Sequence, residues 1–206
     1  MTSIAQWRDM WAALGLTSSD TDLYNALLSR YREPHRHYHT LQHLDECLAL
    51  LPALRPLAEQ PAEIELALWF HDAIYELQRQ DNELRSAEWA RSAVQQSGLS
   101  NDCAERIHAL VMATRHSAVP EGIDARILVD IDLSILGAAP QRFDEYERQV
   151  RAEYAWVPEP QFRDGRRGIL EQFLARPTIF NTDYFLARFE HSARANLERS
   201  LRKLRV

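Results

Sequence analysis

Glycine is scarce in this chain, six in 206 residues. That argues against a turn-rich all-β fold, which needs glycine at its tight turns. Cysteine is scarcer still. Cys47 and Cys103 stand 56 residues apart with no Cys-x-x-Cys pair. Each falls in a helical pattern and reads as a small core residue, and a reducing cytoplasm is the compartment expected. No apolar run approaches the roughly 18 residues of a membrane span, so no membrane partner is expected. The opening MTSIAQWRDMWAALG is interrupted by Arg8 and Asp9, so no signal peptide is expected either. There is no excess of basic residues. The net charge is −6 with both signs interspersed, which disfavours binding to a nucleic-acid backbone.

What is present is helical pattern from end to end. IAQWRDMWAAL places Ile4, Trp7, Trp11 and Leu14 on one face, with Gly15 as a stop. SDTDLYNALLSRYRE opens on capping residues and stops at Pro34, and TLQHLDECLALL is expected to end near Pro52. PAEIELALWFHDAIYE opens on Pro61, which suits a first turn. Later segments end at Gly98 and Gly137, while the glycines of RDGRRG predict a ninth helix that is interrupted or starts late. DYFLARFEHSARANLERSLRKL reads as one closing helix. The sum is about ten helices on short loops, a single all-α domain over 1–206.

The chemistry-bearing residues are unevenly placed. EPHRHYHTLQHLDECL holds four of the eight histidines: His35, His37, His39 and His43. His39 and His43 are four apart, which on a helix puts them on one face. ALWFHDAIYE is apolar on most sides and then presents His71 and Asp72, where a carboxylate entering a core is costly unless it is paired or bound to a metal. Emergence of the helix end into solvent is the simpler alternative. ILVDIDLSILG sets Asp130 and Asp132 among aliphatics, and at about 100° per residue those two acids point roughly 200° apart. One can face a site while the other pairs elsewhere. Imidazole and carboxylate donors drawn from several helices suit one divalent ion.

The order His43, His71-Asp72, Asp132 in an all-helical setting resembles the HD superfamily of metal-dependent phosphohydrolases. The resemblance extends to a branch of predicted bacterial HD phosphohydrolases of similar length, through EPHRHYHTLQHL, ALWFHDAIYE, DNELRSAE, ATRHS, DIDLSILG, EYAWVP, GRRGILEQFLARPTIF and EHSARANL. It implies that His71 and Asp72 are metal ligands and that Asp132 completes the set. YHTLQH is also similar to the Tyr-His-Asn-x-x-His phrase of cyclic-nucleotide phosphodiesterases, with Thr40 in place of Asn. That similarity implies His43 as the ligand and His39 as the general acid, with His39 as ligand the alternative. His35 and His37 are expected at the rim.

In binuclear relatives a histidine stands where this chain has Asn82, while His116 is similar to another extra ligand. One firmly bound ion is therefore expected, of Mn, Mg, Co, Ni, Zn or Fe, with a weaker second site at His116 as the alternative. His108 and His191 are expected to be structural. The implied activity is hydrolysis of a small phosphorylated substrate, a phosphate ester or nucleotide-like molecule, by a metal-activated water. Arg36 or Arg115 could pair with the phosphate as a bidentate fork. Asn82 and Glu83 could orient ligands, and Tyr75 and Glu76 could line the pocket. A di-iron oxygenase and a catalytically silent binding module are the rival functions. A homodimer is left open.

Overall fold

The computed structural model describes residues 2–204. Among them there are eleven α-helices, two short 3₁₀ turns and no strand. The all-α expectation holds. The described chain groups into two compact units, one up to Ile131 and one from Asp132 onward.

The first unit contains α1 (Ile4–Ala13), α2 (Thr21–Arg30), α3 (Leu41–Leu54), α4 (Pro61–Phe70), α5 (Asn82–Gln96), α6 (Asn101–Ala113) and α7 (Ile123–Asp132) up to its last residue. Side-chain oxygens start four of these helices. Ser3, Asp20, Thr40 and Ser100 each accept from backbone N–H groups of the following turn. The central element is α4, which packs against α1, α3, α5 and α6. Every residue from Ala62 to Phe70 is buried, as expected of a helix apolar on most sides. Its two buried acids are paired: Glu63 receives two N–H bonds from Arg106, and Glu65 is held by Arg55 and Gln6. A ring cluster caps the packing, with Trp69 edge-on to Trp7 at 5.1 Å and beside Tyr24 at 5.7 Å.

Four local expectations are corrected. Helix α3 runs through Pro52 to Leu54. Pro52 stands in the last turn, where the missing N–H removes one bond without breaking the helix. The apolar stretch before Gly137 leaves α-geometry at Asp132 and continues as a 3₁₀ turn, Leu133–Gly137. Helix α9 (Glu159–Ala175) passes uninterrupted through Gly165 and Gly168, since glycine weakens a helix without forbidding it. The closing segment is two helices, α10 (Asp183–Arg188) and α11 (Glu190–Leu204), separated at Phe189.

The second unit is built on α11, which packs against the Leu133–Gly137 turn, α9 and α10, while α8 (Pro140–Glu153) packs on the same turn. Asn196 of α11 donates to the carbonyls of Leu136 and Ala138, which fixes that turn. Gly137 lies directly under Phe189. A Cβ at Gly137 would sit 2.8 Å from both the Cβ and the carbonyl oxygen of Phe189. Backbone cannot yield as a side-chain tip can. Gly137→Ala should therefore cost about 1–3 kcal/mol of stability, the range for overpacking a filled site. Urea denaturation of the variant checks this, and an unchanged midpoint would rule the close contact out. No described helix is long and apolar enough to cross a membrane.

Candidate metal centre

Two short segments carry most of the donors. The first is the loop after α2, ending at the start of α3. Thr40 caps α3 in extended backbone, its side chain accepting from Gln42. His39 therefore lies before the helix, in a turn, and His43 lies in the first turn of α3. The expectation of one shared helical face is corrected: four-residue spacing means a common face only where every intervening residue is helical. The rings are still neighbours, with centroids 6.1 Å apart. The second segment is the end of α4, which stops at Phe70 and leaves His71, Asp72 and Ala73 in a turn.

His43 and His71 are almost fully buried, at 2% and 1% exposure. Their Nε2 atoms face each other at 3.0 Å. Asp72 Oδ2 lies 3.0 Å from His71 Nε2 and 3.4 Å from His43 Nε2. His71 keeps helical backbone just past α4 (φ −55°, ψ −37°), so it is the ends of the adjacent His71 and Asp72 side chains that meet, at 3.0 Å. Donors bound to one ion at about 2.1 Å lie roughly 3.0–3.4 Å apart, so these three atoms have the spacing of ligands around a single cation.

The outer hydrogen bonds decide which ring nitrogens face inward. His71 Nδ1 is 2.7 Å from the carbonyl of Leu68, which can only accept. Nδ1 thus carries a proton, and in the neutral ring Nε2 presents a lone pair. Tyr38, buried, places its hydroxyl 3.0 Å from His43 Nδ1 and its ring 4.7 Å from the imidazole. This is how metal-binding histidines are usually held, through the nitrogen that does not bind. Burial raises the carboxyl pKa of Asp72, but in the metal-free site, while the imidazoles are protonated, the charges of His71 and His39 and hydrogen bonds from His43 and His71 outweigh it. The group is held well below the usual carboxylate range. An anionic acceptor and a buried imidazole lone pair crowded together favour a cation between them.

Asp132 is the last residue of α7, whose first nine residues belong to the first unit. A carboxylate oxygen of Asp132, a ring nitrogen each of His43 and His71, and Cys47 Sγ lie within 4.8 Å of one another. That group could hold a metal ion. Cys47 was expected only as a core residue. It is buried, and it stands four residues after His43 on the same face of α3, a spacing that was readable in the sequence. Its sulfur is 3.7 Å from His43 Nδ1 and 3.8 Å from Nε2. Near-equal distances put the sulfur beside the imidazole, out of line with the Nε2 lone pair, where Asp72 stands instead. Asp130 is fully buried and is not among the four grouped residues.

The remaining candidates fall around this centre in different ways. His39 is half-buried and stacks on Tyr75 with centroids 3.9 Å apart. His35 approaches the Tyr75 carbonyl at 2.7 Å, and His37 is exposed. Arg36 is buried, and its guanidinium bonds to Glu33 and to backbone carbonyls. Arg115 is exposed just past the end of α6. His116 follows it with φ 53°, a left-handed residue two positions past the Thr114 cap of α6, and it is not part of the grouped donors. Asn82 makes a reciprocal pair with the backbone of Glu76, accepting from its N–H and donating to its carbonyl, both at 3.0 Å. His108 lies 4.0 Å from Glu88, and His191 is exposed.

No family model, curated protein or solved structure matches the chain.

Proposed function

We propose that the chain is a metal-dependent phosphohydrolase of the HD type, acting on a small phosphate ester or nucleotide-like molecule. The observation that carries the reading is the convergence of His43 Nε2, His71 Nε2 and Asp72 Oδ2 at 3.0–3.4 Å. The chain order of the donors and their all-helical frame support it, as does the resemblance of the surrounding phrases to the HD superfamily.

His43, His71, Asp72 and Asp132 would hold the ion, and their two carboxylates match a hard or borderline divalent cation. Such a cation, when bound, neutralises phosphate oxygens and acidifies a water molecule. The protein's own groups do the rest. The Leu68 carbonyl and the Tyr38 hydroxyl keep the two imidazoles turned inward. His39, outside the donor group yet beside His43, is placed to hand a proton to the departing oxygen. The Tyr75 ring keeps its imidazole from turning freely.

His39→Ala should keep its metal and slow turnover by about 10²–10⁴-fold, the usual contribution of a general acid. Metal content measured beside kcat separates the roles, and loss of the metal would make His39 the ligand. The function itself is tested by loading the purified chain separately with Mn²⁺, Mg²⁺, Co²⁺ and Ni²⁺ and offering phosphomonoesters, phosphodiesters and nucleotides. Hydrolysis of one class is expected. Inertness toward all of them in a metal-loaded chain would favour a silent binding module. Two irons per chain with a mixed-valent signal would favour an oxygenase.

A further inference from the structure

We infer that Arg36 is a positioning residue: its guanidinium ties the turn before α3 to the turn after α4, and so sets the separation of the two segments that carry His43 and His71-Asp72.

Free arginine side chains on a rim reach outward to anions. This one is sealed in, with no exposed side-chain surface. Nε donates to Glu33 Oε2 at 3.1 Å. Nη1 donates twice, to the carbonyl of His39 at 3.2 Å and to that of Asp72 at 2.6 Å. Nη2 donates to the carbonyl of Ala73 at 3.0 Å. Four of the five N–H donors are thus engaged, three of them on backbone. The guanidinium also lies over the rings of Tyr31 at 5.3 Å and Tyr75 at 5.6 Å.

The carbonyls it binds are not arbitrary. Asp72 and Ala73 follow the end of α4, where main-chain acceptors lack intrahelical donors and the helix dipole attracts positive charge. His39 precedes the cap of α3. One planar, rigid fork therefore spans both ligand-bearing segments, which lie more than thirty residues apart in the chain. Lysine cannot replace it. An ammonium offers three donors from a single point and cannot reach carbonyls spread across a guanidinium plane. Nor is this guanidinium arranged as the phosphate fork that sequence alone suggests, because the edge carrying both terminal nitrogens faces main chain.

The inference rests on the metal reading above, and the experiment separates the two. Mn²⁺ or Co²⁺ is titrated calorimetrically into the parent chain, Arg36→Lys and Ile107→Ala, a core truncation on α6 outside both segments. Unfolding of each metal-free protein is measured in parallel. Arg36→Lys should bind the ion about 10–100-fold more weakly, the usual cost of losing an outer support of a metal ligand. Ile107→Ala should bind as the parent does despite its lower stability. Unchanged affinity in Arg36→Lys overturns the positioning role alone, as does loss of affinity in Ile107→Ala matching that of Arg36→Lys. A parent chain that binds neither ion overturns the metal reading and this inference with it. Should Arg36→Lys fail to fold, Glu33→Gln serves instead. Glu33 is a partly exposed partner that orients the guanidinium, and its loss should weaken binding several-fold. No change there would overturn the role.

Discussion

Asp72→Ala is expected to abolish divalent-metal binding while leaving the metal-free chain folded. The carboxylate stands at ligand distance from both buried imidazoles. Removing it leaves two Nε2 atoms 3.0 Å apart with an alanine methyl where the third donor stood. Loss of an outer partner of a metal ligand typically costs 10–100-fold in affinity, so loss of the ligand itself should exceed about 100-fold. The fold should tolerate the change. Asp72 lies in a turn after α4 and keeps 17% of its side chain exposed. The lost hydrogen bonds to imidazole should cost no more than about 2 kcal/mol. Elemental analysis after dialysis against the metal, alongside far-ultraviolet circular dichroism, reads both quantities. Full retention of the ion would remove Asp72 from the ligand set, leaving the grouped His43, Cys47, His71 and Asp132 to account for it.

Trp69→Ala should have the largest effect on stability, a loss of about 3–5 kcal/mol, as expected for truncating a buried aromatic residue. Against a typical total of 5–15 kcal/mol, that brings the first unit close to unfolding at room temperature. The side chain has no exposed surface, meets Trp7 edge-on and sits on the helix that four others pack against. Its indole N–H is buried without a hydrogen-bond partner among the described residues. A phenylalanine there fills most of the volume and removes that unmet donor, so Trp69→Phe should cost far less than Trp69→Ala. Urea denaturation of both variants tests the pair. A loss below about 1 kcal/mol in Trp69→Ala would mean that α4 is not the packing centre of its unit.

What could be read in advance depended on how local the cause was. The buried character of α4 was legible because its residues are apolar around the whole circumference. The capped start of α2 was legible because a single side chain, that of Asp20, sets it. The donor order His43, His71, Asp132 was legible as residue types among aliphatics. The failures involve competition between neighbours or partners distant in sequence. Thr40 offers a cap that displaces His39 from the helix, which spacing alone does not register. Arg36 finds carbonyls more than thirty residues away, and Asn82 is occupied by the backbone of Glu76. Phe189 separates α10 from α11 and rests on Gly137, a contact no pattern within the closing segment announces.

The bond from His71 Nδ1 to the Leu68 carbonyl ties a ligand's orientation to the last turn of α4. That carbonyl is among the terminal acceptors a helix leaves unbonded, so the imidazole serves as the helix's own cap. Fraying of the turn and swinging of the ring are then one event. Each local opening would cost the ion a ligand, and a bound ion would raise the free energy of the opening by the same amount. Metal occupancy and the amide-exchange protection of a single helical turn become two readings of one equilibrium.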